Sequence, residues 1–327
     1  MTRGVAASPS SDTRWIGPAG WSYDDWKGTV YPKPAGRDFD PLAYLAEYFD
    51  VVEVNSSFYR PFPPEWAKRW IERVGENPRF RFTAKLWRRF THQRGEPPTP
   101  DEVAAVREGF DALAEEGKLL AVLAQFPWSF KNEPDERRWL ESVVRTFGAY
   151  PLVLEVRHDS WDDPDALEWL EENGVAFASI DQPIHDGSLE PVVRRTAPLA
   201  YFRFHGRNYE TWFAENRSSH ERYDYLYDAE ELATWVERIR ETAADSTATA
   251  VIAITNNHYR GQAAVNALQL KAWSNGGRVR VPAPLLAAYP DELGGIAKDP
   301  EESKREGAES DEPPTRPAQR ELFGGQA

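Results

Sequence analysis

Polar and charged side chains recur at every second position toward the ends of several apolar segments of this chain. The pairs are Glu53 with Asn55, Glu155 with Arg157, Arg203 with His205, and Asn256 with His258. Because successive side chains of a β-strand point to opposite faces, residues two apart share a face. Charges on an otherwise apolar strand cost on the order of several kcal/mol unless they are paired or hydrated. The spacing therefore predicts a polar pocket built from the ends of strands.

These residue types could carry acid and base chemistry on an anionic molecule. We predict Glu53 and Glu155 as catalytic acid and base, with His205 moving a proton near neutral pH. The predicted substrate-binding residues include cations that could hold a phosphate or carboxylate, Arg through two parallel bonds. They are Tyr23, Asn55, Lys85, Arg157, His158, Trp161, Asp181, Arg203, Asn256, Asn257 and His258.

The same residues allow structural interpretations, which the sequence leaves open. Glu53 and Arg203 could form a buried ion pair between strands, and Glu155 with Arg157 could belong to a structural network. No cofactor or metal is predicted, although a divalent metal remains conceivable on the carboxylates and imidazoles at these strand ends. Tryptophans at strand ends could wall a ring-bearing ligand, whereas histidines in polar loops are expected to be solvated. The tryptophans are Trp21, Trp26, Trp128, Trp161 and Trp212, and the histidines are His92, His185 and His220.

Eight strands and seven helices alternate in the predicted arrangement. The strands are predicted at 15–21, 51–59, 79–86, 119–127, 152–161, 175–183, 199–206 and 250–258. The helices are predicted at 41–49, 64–74, 101–117, 134–147, 164–173, 229–242 and 261–274, with none between the sixth and seventh strands. Several begin at proline after an acidic residue, as at Asp40-Pro41, Glu133-Pro134 and Asp163-Pro164, which is a typical helix start. This alternation predicts an α/β fold, a single (β/α)8 TIM-type barrel, whose functional residues lie at the carboxyl ends of the strands.

The composition restricts the function. The chain has 327 residues, no Cys, and 53 acidic against 39 basic residues, a net charge of −14. Thiol chemistry and Cys-ligated metal are therefore excluded, and a broad nucleic-acid-coating surface is disfavoured. There is no G-x-G-x-x-G, P-loop, H-E-x-x-H or G-x-S-x-G motif. With neither a long apolar segment nor an apolar leader, we expect a cytoplasmic protein.

Both ends of the chain differ from the middle in composition. We predict a flexible N-terminus at 1–13, a barrel domain at 14–290 and a disordered acidic tail at 291–327. The tail ends in Gln319-Arg320-Glu321-Leu322-Phe323, which resembles the Gln-x-x-Leu-Phe peptide that docks repair proteins on the bacterial sliding clamp. A sliding clamp is therefore a possible partner through Gln319, Leu322 and Phe323, the alternative being a chance pattern at a disordered end.

Several runs resemble the YecE-like proteins, the domain of unknown function 72 family. They include Gly20-Trp21-Ser22-Tyr23, Val52-Glu53-Val54-Asn55-Ser56-Ser57, Gln125-Phe126-Pro127, Glu155 with Arg157-His158, Arg203 with His205-Gly206, and Asn256-Asn257-His258. The runs are ordered from about Trp15 to Leu270. The resemblance implies a TIM-type barrel of prokaryotic origin, but it implies no reaction.

Three functions are consistent with these observations. The first is an enzyme of hydrolase or lyase type that acts on an anionic or sugar-like small molecule. The second is a nucleic-acid repair enzyme similar to endonuclease IV barrels, recruited to the clamp by its tail. The third is a protein that binds a metabolite without turnover.

Overall fold

The computed structural model describes residues 13–209 and 223–299, and eight strands lie within these ranges. All of their ladders are parallel, in the order β1-β8-β7-β6-β5-β4-β3-β2. The strands are β1 Arg14–Pro18, β2 Val51–Val54, β3 Arg81–Lys85, β4 Leu119–Gln125, β5 Leu152–Glu155, β6 Ala176–Asp181, β7 Leu199–Phe204 and β8 Ala250–Thr255. Consecutive parallel strands joined by helices form a (β/α)8 TIM-type barrel, as predicted.

The first and last strands of this order, β1 and β2, meet and nearly close the barrel. Ala19 forms a bridge with Glu53, and the Gly20 N–H donates to the Glu53 carbonyl at 2.9 Å. Gly17 permits this approach, because a Cβ at that position would lie 1.9 Å from the carbonyl oxygen of Val51. A side chain at residue 17 would therefore force the two strands apart.

Helices cover the outside of the barrel. They are α1 Pro41–Ala46, α2 Pro64–Arg73, α3 Arg88–Thr91, α4 Pro100–Glu115, α5 Pro134–Phe147, α6 Pro164–Glu172, α7 Ala229–Ala244 and α8 Gln262–Asn275. The three predicted starts at acidic-proline pairs are confirmed, and the side chains of Asp40 and Asp163 accept from backbone N–H groups of the first turn. Every residue between β6 and β7 is described, and residues 182–198 contain no helix, as predicted.

Several predicted strands were too long at their carboxyl ends. The predicted strands 51–59, 152–161 and 250–258 end at Val54, Glu155 and Thr255, and short 3-10 turns follow at Ser56–Phe58, Asp159–Trp161 and Tyr259–Gly261. These strands stop near the edge of the barrel, where no neighbouring strand continues the ladder. The apolar and aromatic residues that follow are in turns packed on the rim.

The ordered chain continues past residue 290, where the tail was predicted to begin. Helices α9 Ala283–Ala288 and α10 Pro290–Leu293 are followed by a bridge between Val279 and Ala297. Leu293 and Ile296 are buried, which fixes this segment on the barrel. Residues 1–12, 210–222 and 300–327 lie outside the described residues, and they include Trp212, His220 and the terminal motif Gln319–Phe323. Within the described ranges, no helix has the length and apolarity needed to cross a membrane.

Candidate active site

Arg203 lies at the centre of the barrel and joins two carboxylates from other strands. Its Nε and Nη2 donate to the two oxygens of Glu53 at 3.0 and 2.7 Å, and its Nη1 donates to Glu155 Oε2 at 2.8 Å. All three side chains are 0% exposed. Burial opposes the charge of Arg203, but the two carboxylates raise its pKa above the ordinary value. The ion pair between Glu53 and Arg203, left open by the sequence, is therefore confirmed.

Two further hydrogen bonds, from Tyr201 and Thr83, hold Glu53 in place. The Tyr201 hydroxyl donates to Glu53 Oε2 at 2.8 Å, and Thr83 Oγ1 lies 3.0 Å from the same hydroxyl. Because the Tyr201 proton is directed at the carboxylate, Thr83 must donate its own proton to Tyr201. Burial and the charge of Glu53 raise the pKa of Tyr201 well above its ordinary value, so it stays a neutral donor.

His205 is held as one neutral tautomer. Asn256 Nδ2 lies 3.2 Å from His205 Nδ1, and Glu155 Oε1 lies 3.1 Å from His205 Nε2. Arg203 Nη1 and Arg157 Nη2 also lie near Nε2, at 3.4 and 3.5 Å, but the carboxylate is nearer. The amide donor at Nδ1 and the carboxylate acceptor at Nε2 therefore favour a ring proton on Nε2. Burial and the nearby Arg157 lower the pKa of His205 to about 3. Both ring nitrogens are therefore used inside the protein at neutral pH.

The predicted acid and base roles find no support in this geometry. Each oxygen of Glu53 and Glu155 accepts from a cation, a hydroxyl or an imidazole, and neither side chain reaches solvent. Burial alone would raise the pKa of Glu155, but Arg203 and His205 reverse that effect and hold the pKa well below its ordinary value. We interpret Glu53, Glu155 and His205 as positioning residues, because they orient and neutralise the cations around them.

Lys85 differs from its neighbours because it is mostly buried without a hydrogen-bond acceptor. Its side chain is 13% exposed, and its Nζ lies 3.9 Å from Glu53 Oε1, beyond hydrogen-bonding distance. No acceptor within residues 13–209 and 223–299 takes a hydrogen bond from this ammonium, which sits 5.6 Å from the centre of the Phe58 ring. Burial and the charge of Arg203 lower the pKa of Lys85 to about 8, although Glu53 acts in the opposite direction.

Arg157 provides the second partly exposed cation of this cluster. Its side chain is 12% exposed, and it donates to Glu155 Oε1 at 3.1 Å and to Gln182 Oε1 at 2.7 Å. The cluster thus contains three cations and two carboxylates, with the carboxylates and Arg203 below and Lys85 and Arg157 toward solvent. An approaching ligand meets a net positive charge.

Three residues of this region were not predicted from the sequence. Phe58 lies beside Lys85, Gln182 binds Arg157, and His92 packs edge-on against Phe58 with ring centres 4.9 Å apart. Burial and surrounding cations lower the pKa of His92 to about 4, which keeps it neutral in this positive region. His92 thus lies in a turn, as predicted, but it is half-buried rather than solvated. The arginines between Arg88 and Arg94, directly after β3, are the feature of the sequence that could have indicated a positively charged environment for His92.

Tyr23, Asn55 and His258 form one side of the mouth. The rings of Tyr23 and His258 are stacked, with centres 4.5 Å apart and an angle of 8° between their planes. Asn55 Nδ2 lies 3.4 Å from the Tyr23 hydroxyl, which donates to the Ala19 carbonyl at 2.6 Å. Burial raises the pKa of Tyr23 above its ordinary value. These three predicted residues therefore lie together, next to Glu53.

Two predicted binding residues lie instead on the outer face of the barrel. Asp181 accepts two hydrogen bonds from Arg207, at 2.9 and 2.7 Å, and one from the indole of Trp235 on α7 at 2.7 Å. Asn257 Nδ2 donates to Asn266 Oδ1 on α8 at 2.7 Å. Both side chains hold helices against the strands, so their predicted place in the pocket was wrong.

Trp161 and His158 also have structural contacts. Trp161 is 1% exposed, donates from its indole to the Phe130 carbonyl at 2.8 Å and stacks on the Phe130 ring. His158 Nδ1 accepts from the Ser160 N–H at 3.2 Å and so caps the turn that contains Trp161. The predicted ligand-facing position of Trp161 was wrong because the turn after β5 directs its ring into the core.

No group of three or more histidine and acidic side chains among the described residues is arranged to hold a metal ion. Glu53 and Glu155 are engaged by Arg203, and Asp181 faces the helices. The metal that the sequence left conceivable therefore has no donor set in residues 13–209 and 223–299.

Fold and site together define a TIM-type barrel protein with a cationic cluster at the carboxyl ends of its strands. The chain belongs to the family described as "Protein of unknown function DUF72", whose model matches residues 15–287. This confirms the resemblance seen in the sequence.

One relative is matched by sequence, and two relatives of known structure share the fold. UPF0759 protein YunF of Bacillus subtilis is 30% identical over 273 residues, which cover 78% of this chain and 93% of YunF. A DUF72 family protein of Thermotoga maritima has a crystal structure that matches with a TM-score of 0.68 at 35% identity, covering 79% of this chain and 98% of that one. One from Enterococcus faecalis matches with a TM-score of 0.68 at 27% identity, covering 80% and 95%.

Proposed function

We propose that this barrel is an enzyme that binds a small anionic molecule at Lys85 and Arg157 and removes a proton from it, the first step of a lyase-type reaction. The observation that carries the proposal is Lys85, a mostly buried ammonium that has no hydrogen-bond acceptor among the described residues. A carboxylate or phosphate oxygen of a ligand would supply the missing acceptor.

The charge arrangement supports an anion in this position. Arg203 balances one of the two negative charges on the buried carboxylates, and Lys85 and Arg157 bring the cluster to a net charge of +1, so an incoming anion is not repelled. Lys85 and Arg157 lie between those carboxylates and the solvent. A partly desolvated cation interacts with a ligand anion more strongly than one in water, because the effective dielectric constant is lower.

The same lysine is suited to proton transfer. A general base works best when its pKa is close to the working pH, and burial lowers the pKa of Lys85 to about 8. About a tenth of the amine would be neutral one pH unit below that value. With the ligand anion held by Arg157, the neutral fraction of Lys85 takes a proton from a carbon next to the ligand carboxylate and becomes an ammonium that pairs with this carboxylate. Glu53, Glu155 and His205 then act as positioning residues.

Binding is tested by isothermal titration calorimetry with inorganic phosphate and pyruvate, in pairs of buffers that differ in ionisation enthalpy. Because an anion favours the charged amine, binding at pH 9 should take up close to one proton, and binding at pH 7 much less. Lys85→Met should abolish binding. Lys118→Met is the matched control, because the Lys118 ammonium bonds the Pro78 and Phe80 carbonyls at the opposite end of β3. Equal binding by both variants would refute the site.

Turnover is tested by exchange of carbon-bound hydrogen in D2O, followed by proton NMR over a panel of small carboxylates. We expect exchange that requires Lys85 and rises with pH, with its midpoint above about pH 8 because the bound anion favours the charged amine. Anion binding without exchange for any member of the panel would support a metabolite-binding protein instead.

A further inference from the structure

An aromatic cleft lies beside the cationic mouth, on the side formed by β1 and β2. It has a volume of about 300 Å3, and its walls include Trp21, Trp66 and Trp70. Trp21 meets Trp70 edge to face at 5.5 Å, and Trp66 lies 6.4 Å from Trp70. None of the described residues that line this cleft carries a charge. Arg60 does not line the cleft, although its guanidinium lies over the Trp66 ring, 5.0 Å from the ring centre. The walls of the cleft are therefore mainly aromatic, unlike the cations Lys85 and Arg157.

The cleft and the mouth share one wall. Tyr23 and Asn55 line the cleft, and the same two residues form the side of the mouth next to Glu53. The turn Ser56–Phe58 also faces both regions, because Ser56 lines the cleft and Phe58 lies beside Lys85. A single small molecule could therefore have one part in each.

The conformation of residue 20 helps to build this shared wall. Gly20 has φ +78°, and a Cβ there would lie 2.6 Å from the Tyr23 hydroxyl. Only glycine adopts this conformation without strain and leaves room for that hydroxyl. The backbone is thus shaped to bring Tyr23 against Asn55.

Asn55 provides a polar group that has no partner within the described chain. Its Oδ1 is buried and receives no hydrogen bond there, while its Nδ2 is directed at the Tyr23 hydroxyl. A buried acceptor without a donor is costly, and a ligand hydroxyl or N–H in the cleft would satisfy it after a small rotation of the amide. Tryptophan faces are well suited to stack against a flat ring.

We infer that the aromatic cleft binds the ring of a ligand whose phosphate or carboxylate lies at Lys85 and Arg157. The ligand class is a neutral ring with hydroxyl or N–H groups joined to an anion, as in a sugar phosphate or a nucleoside monophosphate. The inference rests on the proposed function, since the anionic group is placed by the cations of the mouth. It adds the part of the molecule that would confer specificity.

The test compares four probes by calorimetry: inorganic phosphate, glycerol 3-phosphate, glucose 6-phosphate and adenosine 5′-monophosphate. We expect at least one ring-bearing phosphate to bind roughly tenfold more tightly than glycerol 3-phosphate, the effect of one good stacking contact. A preference for the sugar or for the nucleotide identifies the source of the ring.

Ser56→Phe should fill the cleft and reduce that preference to less than twofold, with the affinity for inorganic phosphate unchanged. Tyr59→Ala is the matched control, because Tyr59 is on the same loop, is 68% exposed and does not line the cleft. If Ser56→Phe does not fold, Trp66→Leu removes one wall instead. Phosphate binding without a ring preference would overturn this inference and leave the proposed function intact. Absence of all anion binding would overturn the proposed function itself.

Discussion

Replacement of Lys85 by methionine should stabilise the protein while it removes the anion site. The pKa of Lys85 is lowered from its ordinary value of 10.5 to about 8, a difference of about 2.5 units. At about 1.4 kcal/mol per unit, holding the charged amine in the folded protein costs on the order of 3 kcal/mol below pH 8. Methionine has a similar length and no charge, so the variant avoids this cost.

The pH dependence gives the sign of the effect. Between pH 8 and 10.5 the unfolded chain still binds the lysine proton that the folded protein has lost, so the free energy of unfolding of the wild type rises with pH. The variant lacks this contribution. The extra stability of Lys85→Met over the wild type should therefore be greatest at or below pH 7 and should decrease between pH 8 and 10.5.

The assay is urea unfolding of the wild type, Lys85→Met and Lys118→Met at several pH values from 7 to 10.5. Comparing each variant with the wild type cancels the titration of other groups. This prediction is refuted if Lys85→Met is less stable than the wild type at pH 7, or if the difference between them does not change with pH. Either result would show that Glu53 stabilises the charged amine more than burial destabilises it.

Three further predictions concern other parts of the chain. Glu53→Gln leaves the buried guanidinium with one carboxylate and should lower the free energy of unfolding by about 3 kcal/mol or more. Asp135→Asn, in an exposed ion pair, should change it by less than about 1 kcal/mol. Equal losses of stability in urea unfolding would contradict the buried network. The pKa of His205 is lowered to about 3 in the folded protein, so below pH 6.5 the unfolded chain binds a proton that the folded protein does not, and stability falls with pH. In His205→Gln the free energy of unfolding should fall less steeply with decreasing pH. An unchanged slope in acid unfolding would contradict this prediction. The tail peptide should bind a bacterial sliding clamp in a pull-down, and replacement of Leu322 and Phe323 by alanine should abolish capture; capture that persists in the variant would exclude the motif.

The sequence predicted the barrel well because its main signals are local. Proline after an acidic residue set the starts of α1, α5 and α6, and apolar β-branched runs marked the strands. The ends of the strands were predicted less well, since a ladder ends where its neighbour ends, which is a non-local property. The aromatic residues after Val54 and Glu155 continue the strand-like composition into turns.

The site was predicted in part. Glu53, Glu155 and Arg203 were placed together because alternation within each strand directs them to one face. At the end of β6 the polar residues Asp181 and Gln182 are consecutive and so point to opposite faces, and because both faces are buried the pattern did not indicate which of the two faces the mouth. The roles also depend on distances, because no pattern in the chain shows that both carboxylates bind the same guanidinium.

That guanidinium has a consequence for the mechanics of the barrel. Arg203 on β7 is bonded to Glu53 on β2 and Glu155 on β5, three strands spread around the circumference. If any one of these strands detaches, an unpaired charge remains in the interior, so local opening of a single strand carries this additional cost. Hydrogen exchange should therefore report similar opening free energies for the amides of β2, β5 and β7, as expected if these three strands open as one cooperative unit.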